Sequence, residues 1–213
     1  MTNTAMEHLR YFAQTLGPRP LGGEANRRAA EYAEKVMKAA GLTVERQTFP
    51  CMQWTQGTAR LTVSGQEISA RPAPYAKPVD AAGPAACVDT REALDMADLR
   101  GRVAVLRGAW TRQPLSPKDN PFWYPDEDRE VVERLEGSGA LALLLSCEGE
   151  AMIDDGRFTV PCALIAEADA NAMKDGMTVH LHMDCARGQT RAFNVVGLLG
   201  SAEKRVCVSA HLD

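Results

Sequence analysis

Two rhythms of apolar residues run through the chain, and their alternation sets the predicted elements. Leu9, Phe12, Ala13 and Leu16 recur at helical spacing and predict a short helix over 6–16, broken by Gly17-Pro18-Arg19-Pro20-Leu21-Gly22-Gly23. Ala29, Ala33, Val36, Met37 and Ala40 form the stripe of a longer helix over 24–40. Arg27, Arg28, Glu31, Glu34, Lys35 and Lys38 cover its outer face, and Gly41 supplies the stop. Residues 42–49 read as a strand, which Pro50 is expected to end.

From Cys51 to Arg187 short strands and turns dominate. Segments 60–64 and 67–70 flank Gly65-Gln66 as a hairpin, and 71–84, with its prolines, reads as extended loop. Buried strands are expected at 85–88 and 102–106, with a helical turn around 93–98 between them. A charged amphipathic helix over 127–136 stops at Gly137-Ser138-Gly139, and the apolar runs 140–145 and 161–166 each suit one buried strand. A helical stretch at 167–174 and a strand at 177–183 follow. Helices alternating with buried strands predict a small mixed sheet with helices on its flanks. Residues 186–190 link out of this region, and 193–199 and 205–210 then predict a hairpin across a turn at 200–204.

Composition excludes some partners. The net charge is −4 and no basic cluster interleaves with aromatics, so nucleic acid and an anionic membrane are not expected. No run of about 18 apolar residues predicts a spanning helix. Residues 1–10 lack the apolar core of a signal peptide, so the expected location is the cytoplasm, unless a secreted chain has shed its leader. The six cysteines are widely spaced with no C-x-x-C pair. Cys87, Cys147, Cys162 and Cys207 lie in or beside apolar runs and read as small buried hydrophobes rather than as a disulfide frame or a zinc knuckle.

The candidate chemistry gathers at the last five residues. His211 and Asp213 stand two apart after the apolar Val206-Cys207-Val208, so on a strand they would share one face. The imidazole could hold a metal and the carboxylate could orient a ligand from behind. His180, His182 and Asp184 share a strand face in the same way, as a metal triplet or as an ordinary solvated face. The loop 108–126 carries Trp110, Phe122, Trp123 and Tyr124, either a binding lid or a local mini-core. His8 sits on an exposed helix position with no role assigned. Arg19-Pro20 reads as a lid or simply as turn chemistry.

Taken in order, these pieces resemble the M28 family of zinc peptidases. Leu16-Gly17-Pro18-Arg19-Pro20 leading into Gly23-Glu24-Ala25-Asn26-Arg27-Arg28 resembles that family's N-terminal helix. Lys38-Ala39-Ala40-Gly41-Leu42-Thr43-Val44 is similar to its helix-to-strand junction, and Asn194-Val195-Val196-Gly197 to its next strand. Val206-Cys207-Val208-Ser209-Ala210-His211-Leu212-Asp213 resembles the strand ending in its His-x-Asp zinc motif. Between them, Asp98-Leu99-Arg100-Gly101-Arg102-Val103, Gly137-Ser138-Gly139-Ala140-Leu141 and Val160-Pro161-Cys162-Ala163 are similar to steps of a protease-associated (PA) domain.

The resemblance implies a mixed α/β fold: a partial zinc-exopeptidase α/β/α core of helices plus three strands, with an inserted β-rich PA-like domain. Residues 1–50 and 188–213 would form the partial catalytic domain and 51–187 the insertion. It implies two zinc ions as cofactors, His211 as a metal ligand, and Asp213 as the catalytic-site carboxylate that orients a ligand. The family's bridging aspartate, adjacent glutamate pair, further acidic ligand and second histidine follow His-x-Asp, so this chain would be an N-terminal portion truncated at that motif. By itself it is expected to be inactive. In the whole protein the substrate would be a peptide, and the reaction a two-zinc hydrolysis of the exopeptidase, aminopeptidase kind. The three strands would leave a sheet edge uncovered, a route to a homodimer. The competing reading is a noncatalytic binding or scaffolding protein that works through the PA-like part. The glutaminyl cyclase branch is a third reading, though it normally lacks the insertion.

Overall fold

The computed structural model describes residues 4–118, 120, 122–201 and 206–213. In chain order its helices are α1 (Thr4–Arg10), α2 (Glu24–Ala39), α3 (Arg91–Met96), α4 (Asp126–Gly137) and α5 (Glu167–Ala172). The strands are β1 (Thr43–Thr55), β2 (Ala59–Val63), β3 (Gln66–Ile68), β4 (Ala70–Pro72), β5 (Val79–Val88), β6 (Val103–Leu106), β7 (Ala142–Ser146), β8 (Cys162–Ile165), β9 (Thr178–Met183) and β10 (Ala186–Leu198). The class is mixed α/β. The chain divides into two compact units, Met1–Trp54 with Gly188–Asp213, and Thr55–Arg187. No helix among the described residues is long and apolar enough to cross a membrane.

In the first unit the apolar stripe of α2 settles the packing. Ala29 and Ala30 are buried, and Gly41, at φ +84°, ends the helix while the Leu42 amide donates to the Met37 carbonyl at 3.1 Å. Gly197 on β10 lies so close to this corner that a Cβ would stand 2.6 Å from Leu42 Cδ2 and 3.0 Å from Met37 Sδ. A larger residue there would have to push the ends of these two flexible side chains aside. The predicted helix over 6–16 changes type midway: α1 passes into a π-helical turn over Tyr11–Leu16, closed by the Gly17 amide on the Phe12 carbonyl at 3.1 Å. An aromatic nest favours that wider turn. Tyr11 stacks on Tyr32 with centroids 3.9 Å apart, and Phe12 meets the same ring edge-on at 5.5 Å. His8, expected to be idle, reaches the Tyr32 hydroxyl with Nδ1 at 2.7 Å.

Two expectations about strands in this unit are corrected. Pro50 does not end β1, which continues to Thr55 and pairs with β10 in a two-stranded sheet. Each strand of such a ribbon has one free edge, where a missing N–H leaves no partner unsatisfied. The predicted third strand over 205–210 does not form where it is described. Residues 206–213 are irregular, with Val206 and Val208 more than nine-tenths exposed. An apolar alternation becomes a strand only against a partner that takes up its backbone groups, and none of the described strands lies there. The 202–205 part of the expected hairpin lies outside the described residues. Cys207, expected inside, is exposed, while Cys162 and Cys185 are buried.

The second unit is an eight-stranded sheet in the order β3-β2-β9-β5-β6-β7-β8-β4. The continuous apolar runs become its centre: β5, β6, β7 and β8 are parallel, and every residue of β6, β7 and β8 is buried. This follows the rule that parallel strands are covered on both faces. The alternating segments become the antiparallel β2 and β9, with Val179, Leu181 and Met183 inward and His180 outward. The stretch 71–84, expected to be loop, instead holds the end of β4 and the start of β5. Pro72 is tolerated because β4 is an edge strand of this sheet.

Candidate functional site

His211 and Asp213 do face one another, although no strand holds them. His211 Nδ1 lies 3.2 Å from Asp213 Oδ1, with the imidazole 94% and the carboxylate 41% exposed. The carboxylate thus engages one ring nitrogen and leaves Nε2 turned outward, the arrangement that fixes a metal-binding tautomer. Between them the Leu212 carbonyl accepts a hydrogen bond of 3.0 Å from Arg19 Nε. Sequence patterning offers no signal for that tie, because Arg19 and Leu212 stand at opposite ends of the chain.

A catalytic zinc needs about three protein ligands. His211 offers one imidazole nitrogen, and among the described residues no group of three or more His, Cys, Asp and Glu side chains is arranged to hold a metal ion. The described residues therefore do not make a zinc site on their own.

The second histidine cluster is rearranged relative to its expected membership. β9 ends at Met183, and Asp184 turns away to accept from the backbone amide and, at 3.1 Å, from the hydroxyl of Thr58. Asp80 takes its place. It lies opposite His182 in the β5–β9 register and meets His180 Nε2 at 2.6 Å and His182 Nδ1 at 3.7 Å. Asp80 escapes a sequence reading because it follows Pro78 in a stretch that looks like loop.

The hydrogen bond from His180 holds the Asp80 carboxyl below its ordinary value of 3.8, with the charges of both histidines adding to it. A carboxyl lowered in the fold stabilises above its unfolded value and loses that contribution as pH falls through the lower folded value. Asp80→Asn is therefore expected to flatten the dependence of unfolding on pH below about pH 4. Urea midpoints collected for both chains across the acid range test this, and parallel curves would refute it.

The aromatic loop does not form a mini-core. Phe122 is 92% and Trp123 69% exposed, while Trp110 is partly buried with its indole N–H on the Arg107 carbonyl at 2.9 Å. A cavity of about 290 Å³ opens beyond the end of β7, lined by Thr111, Arg112, Cys147, Glu148 and Glu167 among others. Some of its polar groups pair with one another: Arg112 with Glu167 at 2.8 Å, and the Glu167 amide with Glu148 Oε1 at 3.0 Å.

No family model matches the sequence. No curated protein matches it either. Solved structures do match. An aminopeptidase from Aneurinibacillus sp. strain AM-1 aligns at TM-score 0.66 and 18% identity over 93% of this chain and 49% of its own. A peptidase M28 precursor from Shewanella amazonensis aligns at TM-score 0.64 and 18% identity, over 89% and 48%. BSAP, a zinc aminopeptidase from Bacillus subtilis, aligns at TM-score 0.64 and 17% identity, over 94% and 47%. The chain has the fold of these structures and spans about half their length.

Proposed function

We propose that this chain is part of an M28-type zinc exopeptidase of the aminopeptidase kind, in which His211 is a metal ligand and Asp213 the carboxylate that orients it. The observation that carries the reading is the His211–Asp213 pair at 3.2 Å with Nε2 left open, on a fold seen in zinc aminopeptidases. In this reading the unit Thr55–Arg187 is a PA-like domain and the reaction is hydrolysis of a peptide bond. The other metal donors and the general base come from residues beyond these.

Because one imidazole does not hold a catalytic zinc, the chain as it stands is expected to show no chelator-sensitive turnover of amino-acid p-nitroanilides with added zinc. Turnover abolished by chelator would contradict the inactivity. The reading itself is tested by the coding sequence after Asp213. That sequence is expected to supply an acidic bridging residue, an adjacent glutamate pair and a distal histidine, and a stop codon there in independent isolates would overturn it.

A second reading is a noncatalytic binding protein working through the Thr55–Arg187 unit. It rests on the exposure of Phe122 and Trp123 in that unit's long loop. The same coding sequence separates the two.

A further inference from the structure

The cavity beyond the end of β7 lies wholly within the unit Thr55–Arg187, where the loops after β6, β7 and β8 meet. Ligands of open parallel sheets sit outside the carboxyl ends of the strands, and this is that end of the parallel centre. Ser146, the last residue of β7, is only 6% exposed. Its backbone carbonyl accepts from the Thr111 hydroxyl at 3.4 Å, but its own hydroxyl bonds to none of the described residues. No buried side-chain oxygen or nitrogen among those residues is sealed off without a partner, so this hydroxyl opens into the cavity that Ser146 lines. A hydroxyl withdrawn from water and left unpaired is costly, which makes it an attachment point for a ligand.

The donors around it are already engaged. Cys147 Sγ donates to the Gly149 carbonyl at 3.1 Å, Arg112 to Glu167 at 2.8 Å, and the Glu167 amide to Glu148 Oε1 at 3.0 Å. Acceptors remain: the Glu150 carboxylate, which has no hydrogen bond or ion pair among the described residues, and the second carboxylate oxygens of Glu148 and Glu167. Three carboxylates against one guanidinium make the lining a negative field. They are not drawn together as a metal-binding set among the described residues. Carboxylates spread around about 290 Å³ suit a wider cation that donates hydrogen bonds, and a volume near the lower end for ligand pockets suits a small one. A primary ammonium, with three N–H donors, has that chemistry. We propose that this cavity binds a primary alkyl ammonium, as carried by a free amine or a lysine side chain, with the Ser146 hydroxyl accepting from its N–H and the glutamates balancing its charge. The proposal is independent of the peptidase reading, because none of its residues belongs to the unit that carries His211.

The test uses ¹⁵N-labelled protein of the full 213 residues, as the parent, Ser146→Ala and Glu150→Gln. Butylammonium chloride and, separately, Nα-acetyl-lysine methylamide are titrated into each chain. The amide signals of 146–150 are expected to shift saturably in the parent, and not with the same two compounds acetylated at the amine. Ser146→Ala removes an oxygen that no described residue uses, and is expected to weaken binding about tenfold through loss of a hydrogen bond to a charged group. Glu150→Gln is expected to weaken it about threefold, in keeping with an exposed carboxylate. Unmoved β9 amide signals check that each variant is folded.

Saturation by butylammonium alone supports the proposal with a free amine as occupant, and saturation by the lysine compound, with or without butylammonium, supports it with a lysine side chain. No saturable shift at 146–150 with either compound overturns it, as do equal shifts from the acetylated controls. Binding undiminished in Ser146→Ala overturns it too. If Ser146→Ala fails to fold, the comparison is read from Glu150→Gln, where undiminished binding overturns the proposal. None of these outcomes alters the reading of His211 and Asp213.

Discussion

Leu144→Ala is expected to cost about 3 kcal/mol of unfolding free energy, near the middle of the range for a leucine removed from a packed interior. Leu144 is fully buried on β7, with Val105 of β6 opposite it on one side and Ala163 of β8 on the other. Both neighbours are buried strands of the parallel centre, so neither can slide into the void without breaking ladder hydrogen bonds. With a urea slope of about 2 kcal/mol per molar, the loss moves the midpoint down by about 1.5 M. Leu144→Met, which nearly conserves volume, should cost less than about 1.5 kcal/mol. A shift for the alanine chain no larger than for the methionine chain would mean that the centre of this sheet is loosely packed.

Arg187→Met should cost about as much through a different cause. The Arg187 guanidinium donates to three backbone carbonyls: Tyr75, Gly156 at 2.8 Å and Phe158 at 3.1 Å. Partial burial lowers its pKa, the sign of a cation drawn out of water. Methionine fills much of the space and removes all three donors, so partly buried carbonyls lose charge-assisted partners. The expected loss is about 3 kcal/mol. Tyr75 adds to it, because its φ of +56° is a left-handed conformation that an L residue adopts only when its surroundings hold it there. Arg187→Lys, with one compact donor head, should fall between the two. Urea unfolding, with hydrogen exchange around 154–161 as a local readout, checks both, and a methionine chain as stable as the parent would show these bonds to be replaced by water without loss.

How far the sequence discloses this molecule depends on where each residue's partners lie. α2 is legible because its stripe and its Gly41 stop are local features, and β6, β7 and β8 are legible because burial on both faces leaves an unbroken apolar run. β4 and the start of β5 are hidden by Pro72, Pro74 and Pro78, since proline signals a loop unless the strand is known to lie at an edge. Residues 206–210 mislead the other way. Val206-Cys207-Val208 has the composition of a strand, but composition supplies no partner.

The same reasoning applies to the site. His211 and Asp213 are readable as a pair from their spacing, and the structure sets them 3.2 Å apart. Arg19, Asp80 and Arg187 are not readable, because each acts on groups far away in the chain. No periodicity marks such an arginine or aspartate beforehand.

The ribbon of β1 and β10 carries one more implication, for the order in which the polypeptide organises itself. The chain between these two strands is a single long loop, and bringing its ends together costs entropy that grows with the logarithm of its length. A folded Thr55–Arg187 unit has already drawn most of that length into a compact body. β1 then meets β10 across a short effective gap. The ribbon is therefore expected to form late, after the large sheet, and the N-terminal helices, although synthesised first, to await residues made much later before their unit is complete.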